Sequence, residues 1–314
     1  MILDVIKGHM GGNTIALLYG EQLPAGRELE LSVKALGQNY LWCHEAGLLY
    51  PSAAGGNRLR AKISEPTVPS FISACGGMTQ VLGKALVETN LGKKLGIKLS
   101  EPVSEVIVET DAGPTRLEIY IDGGKAVRVL TDLSAFLGEC LERGVRPWKL
   151  QGVELYQAGV VMVVDAEEVK RAYPRVDFFN WDAPTRDLLT RIQEEFREKT
   201  GVSDYCITLY DWNPERGGDL RVLFPHCISQ DYFEPACGTG SVALGAALVC
   251  SGELARRRGM AEGRVKLNLE AGGGIGMGGP DTTEVFLEVS GGLPVHASFS
   301  HSLVEITLTG KLYL

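Results

Sequence analysis

Residues 74–88, ACGGMTQVLGKALVE, return at 236–250 as ACGTGSVALGAALVC. Aligned without a gap, the segments agree at Ala, Cys, Gly, Leu, Gly, Ala, Leu and Val, with Thr79 opposite Ser241. The flanks repeat more weakly: VIVETDAG (106–113) and LEIYIDGG (117–124) follow the first copy, LNLEAGG (267–273) and VFLEVSGG (285–292) the second. The two copies lie about half a chain apart, so one halving of the 314 residues accounts for both. A repeat on this scale constrains a fold more than any single motif. It predicts two homologous domains, residues 1–150 and 151–314, joined near Trp148–Gly152, with the final strand free to return to the first half.

The repeated segment reads as an unusual helix. Val242–Val249 carries no polar side chain, and Val81–Val87 carries only Lys84. A helix that is apolar on every side is buried on every side. Gly83 and Gly245 sit inside these helices, where glycine costs about 1 kcal/mol relative to alanine, which predicts close approach of another backbone. Short strands surround them, predicted at Glu28–Val33, Leu117–Ile121, Gly159–Val164, Tyr205–Tyr210, Val265–Leu269 and Glu284–Val289. Residues 185–199, polar on one side, predict a surface helix. The fold class expected is α/β (α+β): two pseudo-symmetric domains, each a curved, mostly antiparallel sheet or barrel around a central buried helix.

In both copies a cysteine stands immediately before the helix, followed by small residues. The open N–H groups and positive dipole of a helix N-terminus suit an anion such as a carboxylate. The same field lowers a thiol pKa from its reference of about 8.5. Two such ends facing each other would hold one carboxylate with a sulfur on each side of the adjacent carbon. One thiolate would then remove a proton while the opposite thiol returned one. The helix N–H groups would stabilise the charge that develops. No metal or cofactor is required, and none is expected.

Composition limits the alternatives. Net charge is −8, with 45% hydrophobic and 22% charged residues, which argues against a nucleic-acid partner. Arg256-Arg257-Arg258, the one basic cluster, reads as a solvated helix end. No apolar run approaches the roughly 20 residues of a membrane span. No charged leader precedes an apolar stretch near Met1, so a cytoplasmic location is expected. The seven cysteines form no CxxC pair and no zinc spacing, so free thiols are expected.

These residues resemble a known group. Ser73-Ala-Cys75-Gly-Gly and Glu234-Pro-Ala-Cys237-Gly-Thr-Gly-Ser241 are similar to the paired cysteine motifs of diaminopimelate epimerase and proline racemase. Gly11-Gly12-Asn13 resembles a Gly-Asn segment that the epimerases share with phenazine-biosynthesis relatives. Thr110-Asp-Ala-Gly113 and Gly291-Gly-Leu-Pro-Val295 with Leu308-Thr-Gly310 extend the likeness along the chain. The resemblance implies Cys75 and Cys237 as the two catalytic bases and a small-molecule carboxylate substrate. It implies Gly76, Gly77, Met78, Gly238, Thr239 and Gly240 as backbone anion binders, and Asn13 as a substrate contact. The chain departs from diaminopimelate epimerases in having Cys75-Gly-Gly-Met, Gln157-Ala-Gly-Val160, and no arginine in Gln230–Pro235. It also lacks the Cys-Gly-His of proline racemases.

Three functions follow, the first leading: a cofactor-independent, PLP-independent racemase or epimerase of an amino acid or related 2-substituted carboxylate; an allylic isomerase or dehydratase; and a non-enzymatic carboxylate-binding protein. Gly55-Gly56-Asn57 with Lys62 resembles the methylaconitate isomerase branch, which uses a lysine and a cysteine, although a solvated lysine beginning a strand is the plainer expectation. His9 is expected to be structural, as are Cys140, Cys206 and Cys250 in the core. His44 beside Cys43 and His226 beside Cys227 lack a third ligand for a metal. His296 and His301 are expected to be partly exposed. Gly274-Ile-Gly276-Met-Gly-Gly279 fits GxGxxG, but a strand rather than a helix follows, so a loop within Gly272–Gly279 is expected. No motif encodes the oligomeric state, a homodimer included.

Overall fold

The computed structural model describes residues 1–67, 69–72, 74–180, 182–201, 206–225, 233–234, 236–271 and 280–314. Packing divides them into two compact units, Met1–Asp132 with Ser300–Leu314, and Leu133–Phe299.

The first unit opens with β1 (Ile2–Met10) and β2 (Asn13–Tyr19), an antiparallel pair turned by Gly11 and Gly12 at φ 57° and 99°. Both turn residues need positive φ, which glycine adopts without strain. α1 (Glu28–Leu36) leads to β3 (Glu45–Pro51) and β4 (Arg58–Ser64). The central helix α2 (Gly76–Glu88) and the short α3 (Leu91–Lys94) lead to β5 (Val103–Thr110), β6 (Gly113–Asp122) and β7 (Lys125–Asp132).

The second unit holds α4 (Ser134–Arg143), β8 (Val145–Leu150), β9 (Val153–Ala158), β10 (Val161–Asp165), α5 (Ala166–Ala172) and α6 (Ala183–Thr200). After β11 (Cys206–Asp211), β12 (Leu220–Pro225) and the two-residue β13 (Phe233–Glu234) comes its central helix, α7 (Gly238–Cys250). α8 (Glu253–Arg258), β14 (Gly263–Ala271), β15 (Asp281–Ser290) and β16 (Leu293–His301) follow. The final strand, β17 (Val304–Tyr313), returns to the first unit and pairs antiparallel with β1.

The pairing series is the same in both units. β17–β1 and β1–β2 are antiparallel, β2–β3 parallel, β3–β4 antiparallel, β4–β5 parallel and β5–β6 antiparallel. β8–β9 and β9–β10 are antiparallel, β10–β11 parallel, β11–β12 antiparallel, β12–β14 parallel and β14–β15 antiparallel. Each parallel pair needs a crossover that a tight turn cannot supply. α1 crosses between β2 and β3, and α5 with α6 between β10 and β11. The central helices α2 and α7 make the other crossovers.

This rule explains why residues 28–33 are not a strand. Glu28-Leu-Glu-Leu-Ser-Val alternates like one, yet the segment is helical and buries Leu31, Ser32, Ala35 and Leu36, a spacing of three to four residues. The break expected at Trp148–Gly152 likewise falls within the β8–β9 hairpin, turned by Gln151 and Gly152 at φ 49° and 77°. Turn chemistry there had the look of a linker.

α2 packs against β1, β2, β3, β6, β7 and β17 of its own unit, and α7 against β8, β9, β10, β11 and β15. In the first unit Ile15, Leu17, Leu59, Val81, Leu82 and Val106 form the layer around α2. Ala16, Leu18, Leu31 and Ala35 form a second layer under α1. β2 is therefore buried on both faces, which is why it reads as a continuous apolar run. In the second unit Leu188, Ile192 and Phe196 of α6 cover Leu155, Val164 and Leu209, as the one-sided pattern of residues 185–199 predicts.

The helix glycines meet side chains, not the expected backbone. A Cβ at Gly83 would stand 2.7 Å from both methyl groups of Val129, and one at Gly245 2.9 Å from Leu287 Cδ1. Three other expectations are corrected. Cys206 is exposed at the start of β11, and Cys250 is only partly buried at the last position of α7. His301, 6% exposed, is buried and bonded through Nδ1 to Leu303. Among the described residues no helix is long and apolar enough to cross a membrane.

Candidate active site

Cys75 is the N-cap of α2 at φ −147°, ψ 116°, and Cys237 the N-cap of α7 at φ −132°, ψ 115°. Met78 N donates to Cys75 Sγ at 3.2 Å, and Gly240 N donates to Cys237 Sγ at 3.3 Å. Each sulfur thus takes the place usually held by a serine or aspartate oxygen, accepting the N–H three residues on. An accepted N–H and the helix dipole both favour negative charge on sulfur.

A hydroxyl braces the first turn in both copies, through carbonyls one residue apart. Thr79 Oγ1 donates to Gly76 O at 2.7 Å, and Ser241 Oγ to Cys237 O at 2.6 Å. In the second copy Thr239 Oγ1 lies 3.3 Å from Cys237 Sγ. Cys75 is half-buried and Cys237 is buried.

Asn13, 1% exposed, belongs to the first half. A Cβ at Gly77 would meet Asn13 Nδ2 at 3.2 Å, so the β1–β2 turn delivers this amide to the first turn of α2. The glycines of the second half have a packing role as well. A Cβ would come within 2.6 Å of the Phe299 ring at Gly238, and within 2.8 Å of Thr208 Oγ1 and 3.0 Å of the Phe224 ring at Gly240. Small residues here let aromatic side chains come close to the helix start.

A supporting network was legible only as one polar residue inside an apolar helix. Gln80, fully buried, donates through Nε2 to Thr131 Oγ1 at 2.8 Å and accepts from His301 N at 3.3 Å. Thr131 Oγ1 also lies 2.9 Å from Thr79 Oγ1. This chain fixes α2 immediately behind Cys75. A buried amide stays only where its hydrogen bonds are met.

Other cysteines differ in setting. Burial pushes the Cys43 thiol up to about 11 and the Cys140 thiol to about 12. These are inert structural thiols.

Lys62 lies on β4, where Leu59, Ala61 and Ile63 join the layer around α2. Alternation turns Lys62 to the opposite face. There its Nζ stands 3.6 Å from Glu28 Oε1 and over the rings of Phe71 and Tyr50, at 5.3 and 5.8 Å from their centroids. His9 is structural: Nε2 lies 3.1 Å from Glu305 Oε2, and Nδ1 accepts Gly12 N at 3.2 Å, holding the turn before Asn13. His44 Nδ1 accepts Thr14 N at 3.0 Å. His226, Cys227, Gln230, Pro235 and the Gly272–Gly279 segment lie outside the described residues.

No protein-family model and no curated protein matches the sequence. Solved structures do. A hydroxyproline epimerase from Agrobacterium vitis, with bound trans-4-hydroxy-L-proline, superposes with a TM-score of 0.62 at 15% identity, covering 99% of this chain and 90% of its own. A methylitaconate-delta-isomerase gives 0.63 at 17% identity, over 99% and 95% of the two chains. A phenazine biosynthesis protein from Bacillus anthracis gives 0.64 at 12% identity, over the whole of both. Likeness along the full length, joined to a duplicated cysteine-capped helix, leads to one conclusion: the chain has the fold of the diaminopimelate epimerase and proline racemase superfamily.

Proposed function

We propose that the protein is a cofactor-independent racemase or epimerase acting on an amino acid or a related 2-substituted carboxylate, with Cys75 and Cys237 as its two bases. The observation that carries this reading is the matched pair of cysteine N-caps. Two sulfurs sit in nearly the same backbone geometry, each accepting a helix N–H. A structural role would call for only one small buried residue at either place.

In the reaction, one cysteine thiolate takes the proton from the substrate Cα, and the bonding pair remains on carbon as a carbanion delocalised into the carboxylate. The opposite cysteine thiol gives its proton to the other face of that carbon. The product has inverted configuration, and the two sulfurs have exchanged protonation states. The N–H groups in the first turns of α2 and α7 suit the carboxylate, and differential binding of the charge that builds there lowers the barrier. Asn13, set against Gly77, is suited to orient the substrate in the first half. Free thiols also fit the reducing cytoplasm.

Allylic isomerisation, the chemistry named for one structural neighbour, would need a second base. Lys62 faces away from α2 and is engaged with Glu28, so nothing in its setting favours that reading.

Proton NMR in D2O of the reduced protein with L- and D-amino acids, hydroxyprolines and unsaturated tricarboxylates tests the proposal. The expected result is loss of the Cα–H signal of one compound, abolished by Cys75→Ala and by Cys237→Ala. Exchange that survives either substitution would remove the two-base mechanism.

A further inference from the structure

The shared pairing series lets the two units be compared position by position at the end of the central helix away from its cysteine. Lys311 faces Asp4 across β17–β1 as Lys149 faces Glu154 across β8–β9. Ile6 faces Leu17 as Tyr156 faces Val163. One step on, Tyr19 is beside Leu49 in the first unit, and Asp165 beside Tyr210 in the second. A cavity opens at this place in each unit.

In the first unit the chain supplies its own cations. Lys94 Nζ lies 2.9 Å from Asp4 Oδ2, and Lys311 pairs with Oδ1 of the same carboxylate. The second cavity, of about 430 Å³, holds its carboxyl group differently. Asp165 is 9% exposed; it accepts Glu167 N at 2.8 Å, and Tyr210 is its neighbour across β10–β11. Among the described residues no lysine or arginine forms an ion pair with it, and the Arg257 guanidinium in the same lining acts on it only at longer range. Arg257 is engaged instead with Glu167 at 2.7 Å and Glu253 at 3.3 Å, its guanidinium 5.0 Å from the Trp212 ring centroid. Lys149 and Glu154 form no ion pair either. Glu168 and Glu253 add carboxylates at the rim, and Tyr156 and Tyr210 add aromatic surface.

We propose that this cavity binds a small organic ammonium ion, with Asp165 as its counter-charge and Tyr156 and Tyr210 as its walls. A carboxylate has about four acceptor positions, of which the cap uses one. Aromatic rings beside it attract a cation through their π faces. The size suits a compact ligand. In the first unit this end of the fold is closed by an ammonium–carboxylate contact of its own residues. In the second unit the counterparts Lys149 and Glu154 stay unpaired, and Asp165, in the place of Tyr19, adds a buried carboxyl group that no lysine among the described residues reaches, so a small ammonium from solution fits there. This site is separate from both cysteines and does not depend on the isomerase reading.

The test is calorimetric titration of the full chain at pH 8 with propylammonium and tetramethylammonium chlorides, against sodium chloride at equal ionic strength. Saturable one-site binding of either ion is expected, weakened about tenfold or more in Asp165→Asn, which keeps the helix cap and the side-chain volume. Should that variant fail to fold, Tyr156→Ala at the half-buried wall is the substitute, with the same loss expected. Binding lost in Cys75→Ala but kept in Asp165→Asn would place the ion at the cysteine and overturn the assignment. Heats no larger than those of sodium chloride would overturn it as well.

Discussion

The side-chain amide of Asn13 lies so close to Gly77 that a β-carbon there would stand 3.2 Å from Asn13 Nδ2. Gly77→Ala therefore displaces the amide by a few tenths of an ångström while removing glycine from a helix. Stability should stay level or rise by up to about 1 kcal/mol, whereas kcat/KM should fall roughly 10- to 100-fold, the scale of a slightly misplaced site. Thermal unfolding and initial rates on one preparation check both. Parallel losses would mean that the contact is only packing.

Capping and catalysis can be separated at each cysteine. Serine caps a helix well and alanine does not, so Cys75→Ser and Cys237→Ser should unfold about 1 kcal/mol less readily than the alanine variants. All four should lose isomerisation, because a hydroxyl cannot supply the thiolate. Urea denaturation with the D2O exchange assay gives the answer. Retained turnover in either serine variant would exclude that residue as a base.

Burial raises the Asp165 carboxyl from 3.8 to about 6. The folded chain therefore keeps this proton to a higher pH than the unfolded chain does. Below pH 3.8 the site carries no penalty, and stability falls as pH rises from about 4 to 6. At about 1.4 kcal/mol per pH unit the loss approaches 3 kcal/mol. Glu167, Tyr210, Arg257, Glu168 and Glu253 surround the group, and only the Asp165→Asn comparison isolates it. That variant should gain about 3 kcal/mol over the parent between pH 4 and pH 7 in urea titrations. A constant difference would contradict the assignment.

Glu270, 1% exposed, has the opposite sign. Burial alone would raise its carboxyl, but the N–H groups of Gly218, Glu215 and Arg216, at 2.7, 2.6 and 2.6 Å, outweigh this and hold it below its usual range. Its stabilisation is complete above pH 4.5 and lost as pH falls below that value. Glu270→Gln should cost roughly 3 kcal/mol at pH 7, the scale of hydrogen bonds to a charged acceptor. The cost should shrink toward pH 3, and acid titrations of parent and variant would show the curves converging.

The repeat was legible because its chemistry is rare: few helices are apolar on every side and begin on a cysteine. The identity of the capping residues and the pairing of two similar units follow from that alone. Glu28–Val33 misled because alternation over six residues is shared by strands and short amphipathic helices. Its identity depends on the parallel β2–β3 pair, which sequence does not display. The burial of Lys62 against Phe71 and Tyr50, and the acid–phenol pair of Asp165 and Tyr210, depend likewise on register. Asn13 was found through its neighbours Gly11 and Gly12, whose positive φ fixes where the amide goes.

The pairing of β17 with β1 joins residues as far apart as Met1 and Leu314, whose backbones exchange hydrogen bonds at 2.9 and 3.0 Å across 313 positions. During synthesis β1 emerges long before β17, the strand it must pair with. The second unit is one uninterrupted stretch of chain and can close while the ribosome is still working. The first unit, although it is made earlier, finishes later. Loss of β17 would accordingly unravel the unit built on Met1–Asp132 and leave Leu133–Phe299 standing.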